Sequence, residues 1–432
     1  MTVQTPGSSG LTRMTAGTAL ALAAFATTAG GQKPDSTRTA LDSLGARLER
    51  AEETIELLRQ QLAAQGESAV KTKSGLSLEL NGRILLSVFA NTRRTNNSDV
   101  PTTVRPDSAS GAANGGGGIE IRQTTLGLAV TSPSVLGASF LGDLDVDFFG
   151  GQLSTFGGRT MPLIRLRTAR AVLTWPHAEL LVGQEQPLVS NLNPVSLAGV
   201  GTPDFTAAGN LWYWMPQVRV TIERPGPVRV ALQGAVIAPM TGEPVGSFDT
   251  EFDAAERTRR PYLEGRLRFR WGAMEAPAEI GLGVHQGWLA PVRDSLLENR
   301  ALTFDALIPI GPRAEFRGEA FSGRGMRVLG GGQVAQLYGK GGVVVRGSGG
   351  WGQLNLKPFS RLLVGAGGGF DDPRDADLPA TGRLKNVTSE LHAIAHPGGP
   401  LVLSLEWRRT TTTYTTRSWT NDHLNLGVGV EF

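Results

Sequence analysis

From residue 75 to its end the chain alternates apolar and polar side chains with a period of two, in segments often ten or more residues long. Successive side chains of an extended strand point to opposite faces. LSLELNGRILLSV (76–88) therefore puts Leu76, Leu78, Leu80, Ile84, Leu86 and Val88 on one face, with Ser77, Glu79, Asn81, Arg83 and Ser87 on the other. FLGDLDVDF (140–148) sets Phe140, Leu144, Val146 and Phe148 against Asp143, Asp145 and Asp147. LEGRLRFRW (263–271) sets Leu263, Leu267, Phe269 and Trp271 against Glu264, Arg266, Arg268 and Arg270.

Half-buried strands of a soluble sandwich alternate too, so alternation alone does not choose the fold. Three further features do. The segments exceed the ~5–6 residues usual for globular strands. Short turns such as ERPGP (223–227) alternate with long polar loops, of which 91–118 and 240–260 are the clearest. No segment reads as a continuous apolar run. This combination predicts an all-β transmembrane barrel over 75–432, with about sixteen antiparallel strands. The Gly-rich stretch 324–358 is hard to divide, so fourteen or eighteen strands also fit. Lipid cannot satisfy unpaired backbone or charge, so the sheet must close and turn its charged face inward. A barrel of ~16–18 strands leaves an aqueous channel.

Two segments precede the barrel. Arg13 leads into MTAGTALALAAFATTAGG (14–31), whose small apolar residues and Thr27-Thr28-Ala29 site predict a signal peptide over 1–31. In 39–65, Leu41, Leu44, Leu48, Ala51, Ile55, Leu58 and Leu62 fall at alternating spacings of 3 and 4. That is the seam of a short α-helical coiled coil. So narrow a stripe buries too little to hold one helix alone, which predicts self-association, with a homotrimer as the expected number.

Composition excludes several functions. The chain has no Cys, which removes disulfides, thiolate metal sites and thiol nucleophiles. Net charge is only +3 and gives no reason to expect nucleic acid. The five His (177, 285, 392, 396 and 423) lack metal-ligand spacing, and no G-x-S-x-G elbow or Walker A loop occurs. No enzyme, metal or cofactor is expected.

The signal segment, coiled coil, sixteen-strand pattern and terminal Phe432 together resemble the DcaP-like trimeric porins of bacterial outer membranes and their phosphate-selective porin relatives. Locally, EIRQTTLGLAVTSP (120–133) is similar to an early strand of such porins. LLVGQEQPLVSNLNP (180–194) and GNLWYWMPQVRVTI (209–222) are similar to the segments around their third loop. The resemblance implies an outer-membrane channel for passive diffusion of small hydrophilic solutes, with the coiled coil on the periplasmic side; the nearly balanced inward charges predict at most a weak preference for anions. It also implies that 186–211 is a constriction loop folded into the barrel, carrying the single acid Asp204. The alternative is a structural or adhesive barrel that tethers the envelope through its coiled coil.

Alternation makes Arg165, Arg167, Arg219, Arg266 and Arg268 inward and names them as contacts for a permeant anion, since rings of Arg favour anions. The competing reading is that they pair with the inward acids as scaffolding. The chain ends HLNLGVGVEF (423–432), with Leu424, Leu426, Val428, Val430 and Phe432 on one face. A terminal aromatic on this pattern is similar to the signal read by outer-membrane assembly machinery, the expected partner besides lipid.

Overall fold

The computed structural model describes residues 70–71, 76–108, 110, 114–151, 161–242 and 251–432. The signal segment and the coiled coil, including Leu41, Leu44, Leu48, Ile55, Leu58 and Leu62, lie outside the described residues.

The strands are β1 (Ser77–Asn91), β2 (Gly116–Glu120 and Thr125–Val135), β3 (Ala138–Asp147), β4 (Arg165–Thr174), β5 (Ala178–Glu185), β6 (Met215–Arg224), β7 (Val228–Ile237) and β8 (Tyr262–Trp271). They continue as β9 (Ala278–Leu289), β10 (Leu297–Ile310), β11 (Ala314–Arg324), β12 (Arg346–Phe359), β13 (Leu362–Pro373), β14 (Arg383–Gly398), β15 (Leu401–Tyr414) and β16 (Ser418–Glu431). Each is antiparallel to the next in sequence, and β16 returns to β1 from His423 opposite Asn91 to Glu431 opposite Arg83. The result is a closed sixteen-strand barrel. The sheet's two further segments do not add to that number. Val70–Lys71 pairs with the start of β1, and β2 is one strand in two pieces. Its break is a bulge, where residues 121–124 oppose residues 84–86, and the Thr124 hydroxyl accepts the Leu85 N–H at 3.1 Å.

The wall sorts side chains as the alternation requires. On β16, Leu424, Leu426, Val428 and Val430 are exposed outward, whereas Asn421, His423 and Asn425 are buried inward. Leu232 on β7 and Leu302 on β10 remain 66% and 67% exposed. An apolar band of this extent around a polar interior suits lipid, not water. Short turns lie at one rim, such as 136–137, 225–227 and 399–400. Longer connections, such as 186–214 and 325–345, leave from the other.

The Gly-rich stretch 324–358, hard to divide from sequence, resolves into a loop and one strand. Gly325 (φ 72°) and Gly330 (φ 107°) turn the chain through the left-handed region, which favours glycine. Residues 325–345 are therefore a loop, and β12 starts at Arg346. Met326, Val328, Leu329 and Val334 are buried, the first three in an apolar cluster with Leu188, Leu211, Met215, Tyr262 and Leu289 at the loop-bearing end of the interior.

Phe432 completes the seam. Its N–H donates to Gly82 O at 3.1 Å, its O accepts the Gly82 N–H at 2.9 Å, and its ring is half exposed on the outer face. Deleting Phe432 is expected to reduce the yield of assembled, heat-modifiable barrel on electrophoresis, while molecules that do assemble keep wild-type conductance.

Candidate functional site

Residues 186–211 lie inside the barrel, and inward polar side chains of many strands hold their backbone. Val189 N–H donates to Glu264 on β8 (3.3 Å) and Leu192 N–H to Glu319 on β11 (2.8 Å). Gln353 on β12 both accepts from Val195 N–H (2.8 Å) and donates to Val195 O (3.0 Å). Ser196 Oγ meets Glu406 on β15, Gln123 brackets Ala198 O and Gly201 N–H, and Asn386 on β14 donates to Ala207 O. A backbone crossing a barrel interior has no ladder of its own, so these side chains satisfy groups that burial would otherwise penalise.

Glycine makes the seat. A Cβ on Gly209 would lie 2.3 Å from Gly350 O, and one on Gly369 2.2 Å from Ala208 O. Gly209 also has a φ of 105°. Phe205 then stacks on Trp351 at 5.8 Å between centroids.

The singled-out charged residues occupy three regions of the wall. Asp204 is buried and ion-paired with Arg408 on β15, whose guanidinium also meets Glu406. The carboxylates of Asp204, Glu390 and Glu406 converge within 4.8 Å of one another there. Arg165 forms a two-point pair with Asp147 (2.6 and 3.0 Å) and also donates to Gly201 O. Arg167 pairs with Asp145 at 2.9 Å. Both guanidiniums lie 5.1 Å from the Trp214 ring centre, at the end of the loop. Arg219 donates to Gln186 O at 2.5 Å and to Gln217. Arg266 was expected to meet permeant ions. It is instead buried at 3% exposure, between Asp305, Glu279 and Gln233. Arg268 pairs with Glu223 at 2.8 Å. Arg165, Arg167, Arg266 and Arg268 thus sit in carboxylate pairs, whereas Arg219 is held by a backbone carbonyl and an amide.

Sequence reasoning missed Arg170. A bulge at Arg167 shifts the β3–β4 register, so Arg170 joins Arg165 and Arg167 inside and pairs with Asp143 and Glu185. The break in alternation at 167–170 was its only signal. Trp212 and Trp214 were also missed as arginine partners, though WYW directly after the loop marks a place where stacking is available.

The two larger spaces beside the loop have charged and amide groups in their walls. One, of about 440 Å³, is bounded by Arg83, Asn191, Arg317 and Glu431. The other, of about 460 Å³, is bounded by Asp143, Asp145, Arg167, Arg170 and Trp214. Gln186 and Asn193 line both, so the spaces adjoin at the loop.

Comparison with solved structures places this fold. The outer membrane channel DcaP of Acinetobacter baumannii matches with a TM-score of 0.65 at 17% identity, over 84% of this chain and 100% of that one. An anion-selective porin from Comamonas acidovorans matches at 0.54 and 13%, over 83% and 100%. OmpT, an outer membrane protein of Vibrio cholerae solved in a trimer form, matches at 0.50 and 8%, over 83% and 99%. The fold is that of a DcaP-like porin. Neither protein-family models nor curated proteins give a match.

Replacing Arg408 by Met strands Asp204 and Glu406 as buried carboxylates without their partner. The expected loss is about 3–5 kcal/mol in detergent thermal unfolding, the usual cost of breaking a buried pair. Asp204→Asn combined with Arg408→Met is expected to recover part of it.

Proposed function

We propose that this chain is an outer-membrane porin, a homotrimer that admits small hydrophilic solutes by passive diffusion. One observation carries the reading. A closed barrel with an apolar outer wall has a polar lumen, crossed by a wall-tethered loop that still leaves adjoining polar spaces. A structural tether would not need such a lumen. In this reading 186–211 is the constriction loop, anchored by Asp204 on Arg408, and Phe432 is the assembly signal at the seam. The trimer form of the Vibrio OmpT supports the oligomer, and the coiled coil at 39–65 would reinforce it from the periplasmic side. No catalytic role is proposed.

Selectivity follows from which guanidiniums keep contact with the open spaces. Arg165, Arg167 and Arg219, with Arg170, sit on the β4–β6 wall near the waist. Arg167 and Arg170 line an open space directly, and Trp214 covers the neighbouring face. Each also has a carboxylate neighbour, so the field is transverse across the waist and the anion preference is weak. Arg266 is a structural cation and Arg268 largely so.

Planar-bilayer recording tests the proposal. The assembled protein is expected to conduct, and absence of conductance would remove the porin reading. In a salt gradient, Arg165→Ala with Arg167→Ala leaves Asp145 and Asp147 exposed to the lumen, and the reversal potential is expected to move toward cations. Arg266→Met is expected to lower the unfolding temperature while leaving the reversal potential near wild type; a large selectivity change would return Arg266 to the filter.

A further inference from the structure

At the loop-bearing end of β10, β11 and β12, the same outward position is arginine on all three strands. Arg300 lies directly opposite Arg324, and Arg324 directly opposite Arg346. Arg374 follows β13, its N–H donating to Arg346 O at 2.7 Å. Like charges placed directly opposite on neighbouring strands destabilise a sheet. Such a row is unfavourable unless an anion lies across it.

The chain's own carboxylates only partly serve. Arg346 is held by Asp377 (Nε to Oδ2, 2.8 Å), and this contact keeps that carboxyl below the usual carboxylate range. Arg300 has Glu298 at 3.6 Å, with both side chains about half exposed, and exposed pairs of this kind contribute little. Asp372 is taken by Lys385 at 3.0 Å. Among the described residues, Arg324 and Arg374 make no ion pair. The local balance is five cations (Arg300, Arg324, Arg346, Arg374, Lys385) against four carboxylates (Glu298, Asp372, Asp375, Asp377).

Immediately below the row the outer wall is hollow. The next outward rank runs Leu302, Ser322, Ser348 and Asp372, the last turned to Lys385. The rank below runs Phe304, Ala320, Gly350, Phe370, so two phenylalanines flank two adjacent strands that carry almost no side chain. Phe316 closes the lower end, its ring 3.2 Å from where a Gly352 Cβ would stand. The concavity that includes this upper part and the arginines measures about 1010 Å³, and Leu263, Val284 and Leu302 form its apolar side.

Height decides what fits. Arg324 is eight residues along β11 from Phe316. At a rise of ~3.3 Å per residue and a strand tilt of ~40°, that puts the row roughly 20 Å above Phe316, near the upper edge of a ~25 Å apolar band. Cations there meet the headgroup layer, and the hollow below meets acyl chains.

We propose that this face is a binding site for an anionic lipid of the outer leaflet. Its phosphate lies across the Arg300–Arg324–Arg346 row, and an acyl chain occupies the hollow between Phe304 and Phe370. Guanidinium groups suit phosphate because they can donate two parallel hydrogen bonds. A free phosphate ion would leave the hollow unused. A second copy of the chain docking here would have to bring further acids to offset Arg324 and Arg374, which make no ion pair among the described residues.

The inference rests on the membrane-spanning reading, and bilayer conductance of the same samples reports that reading separately. The test uses the full chain in detergent, with bis-phosphorylated lipid A as probe, followed by native mass spectrometry and thermal unfolding. The phosphorylated lipid is expected to bind and raise the unfolding temperature, and its dephosphorylated form to bind far less. Arg300→Gln with Arg324→Gln is expected to weaken binding by about fivefold for each guanidinium removed, with conductance unchanged. Arg300→Lys with Arg324→Lys should retain part of it. Should the Gln variant fail to assemble, Ser322→Phe, which fills the hollow from the lipid side, is expected to lower lipid occupancy with the arginines intact. Equal binding of the dephosphorylated lipid overturns the proposal. So does an equal thermal shift from inorganic phosphate alone, or an oligomeric mass that changes in the Gln variant while lipid binding does not.

Discussion

The hydrogen-bonded seam between β16 and β1 is the contact on which everything else depends. Without it a sheet of fifteen neighbouring pairs would present two open edges to lipid, where each unsatisfied backbone group costs several kcal/mol. The ring holds from His423–Asn91 down to Glu431–Arg83, and the terminal Phe432 adds its own pair of backbone bonds with Gly82. Once the ring is closed, inside and outside are defined for every strand. A polar side chain can then be buried without a conventional core, and an apolar one exposed without aggregation.

Closure also explains the unusual polarity of the interior. Glu264, Glu319, Gln353, Asn386 and Glu406 are buried, yet each meets a loop group or a neighbouring wall side chain. The loop replaces the solvent these groups would otherwise need, and the wall replaces the ladder the loop lacks. Glycine permits that exchange at close range. Inward, Gly369 lets the loop backbone approach the wall; outward, Gly350 leaves the hollow beneath the arginine row. Glycine thus serves opposite faces of one sheet.

Arginine shows how one residue type takes different roles by position. Arg266, boxed in by Asp305, Glu279 and Gln233, is part of the wall's construction. Arg167 and Arg170, also paired, still border open space, and Arg167 lies over an indole face. Arg324, on the other side of the sheet, has no carboxylate of its own. Counting inward arginines from alternation could not separate the first group from the second, because accessibility depends on which loop covers them.

The sequence by itself determined the strand pattern and its sidedness, and left the number between fourteen and eighteen. A period-two pattern held for ten or more residues and repeated between turns has one physical outcome, a closed barrel, although the Gly-rich stretch 324–358 was divided only by the structure. The lipid face of HLNLGVGVEF was readable for the same reason. Only the tertiary structure decided what crosses the lumen. The Asp204–Arg408 pair joins residues 204 positions apart, and the Arg300–Arg324–Arg346 row joins three strands through register. The inward turn of 325–345 depends on contacts with Trp212 and Tyr213 far earlier in the chain. Alternation is a local property and fixes which way a side chain points. What that side chain meets is set by register, bulges and the paths of loops, which exist only after the ring has closed.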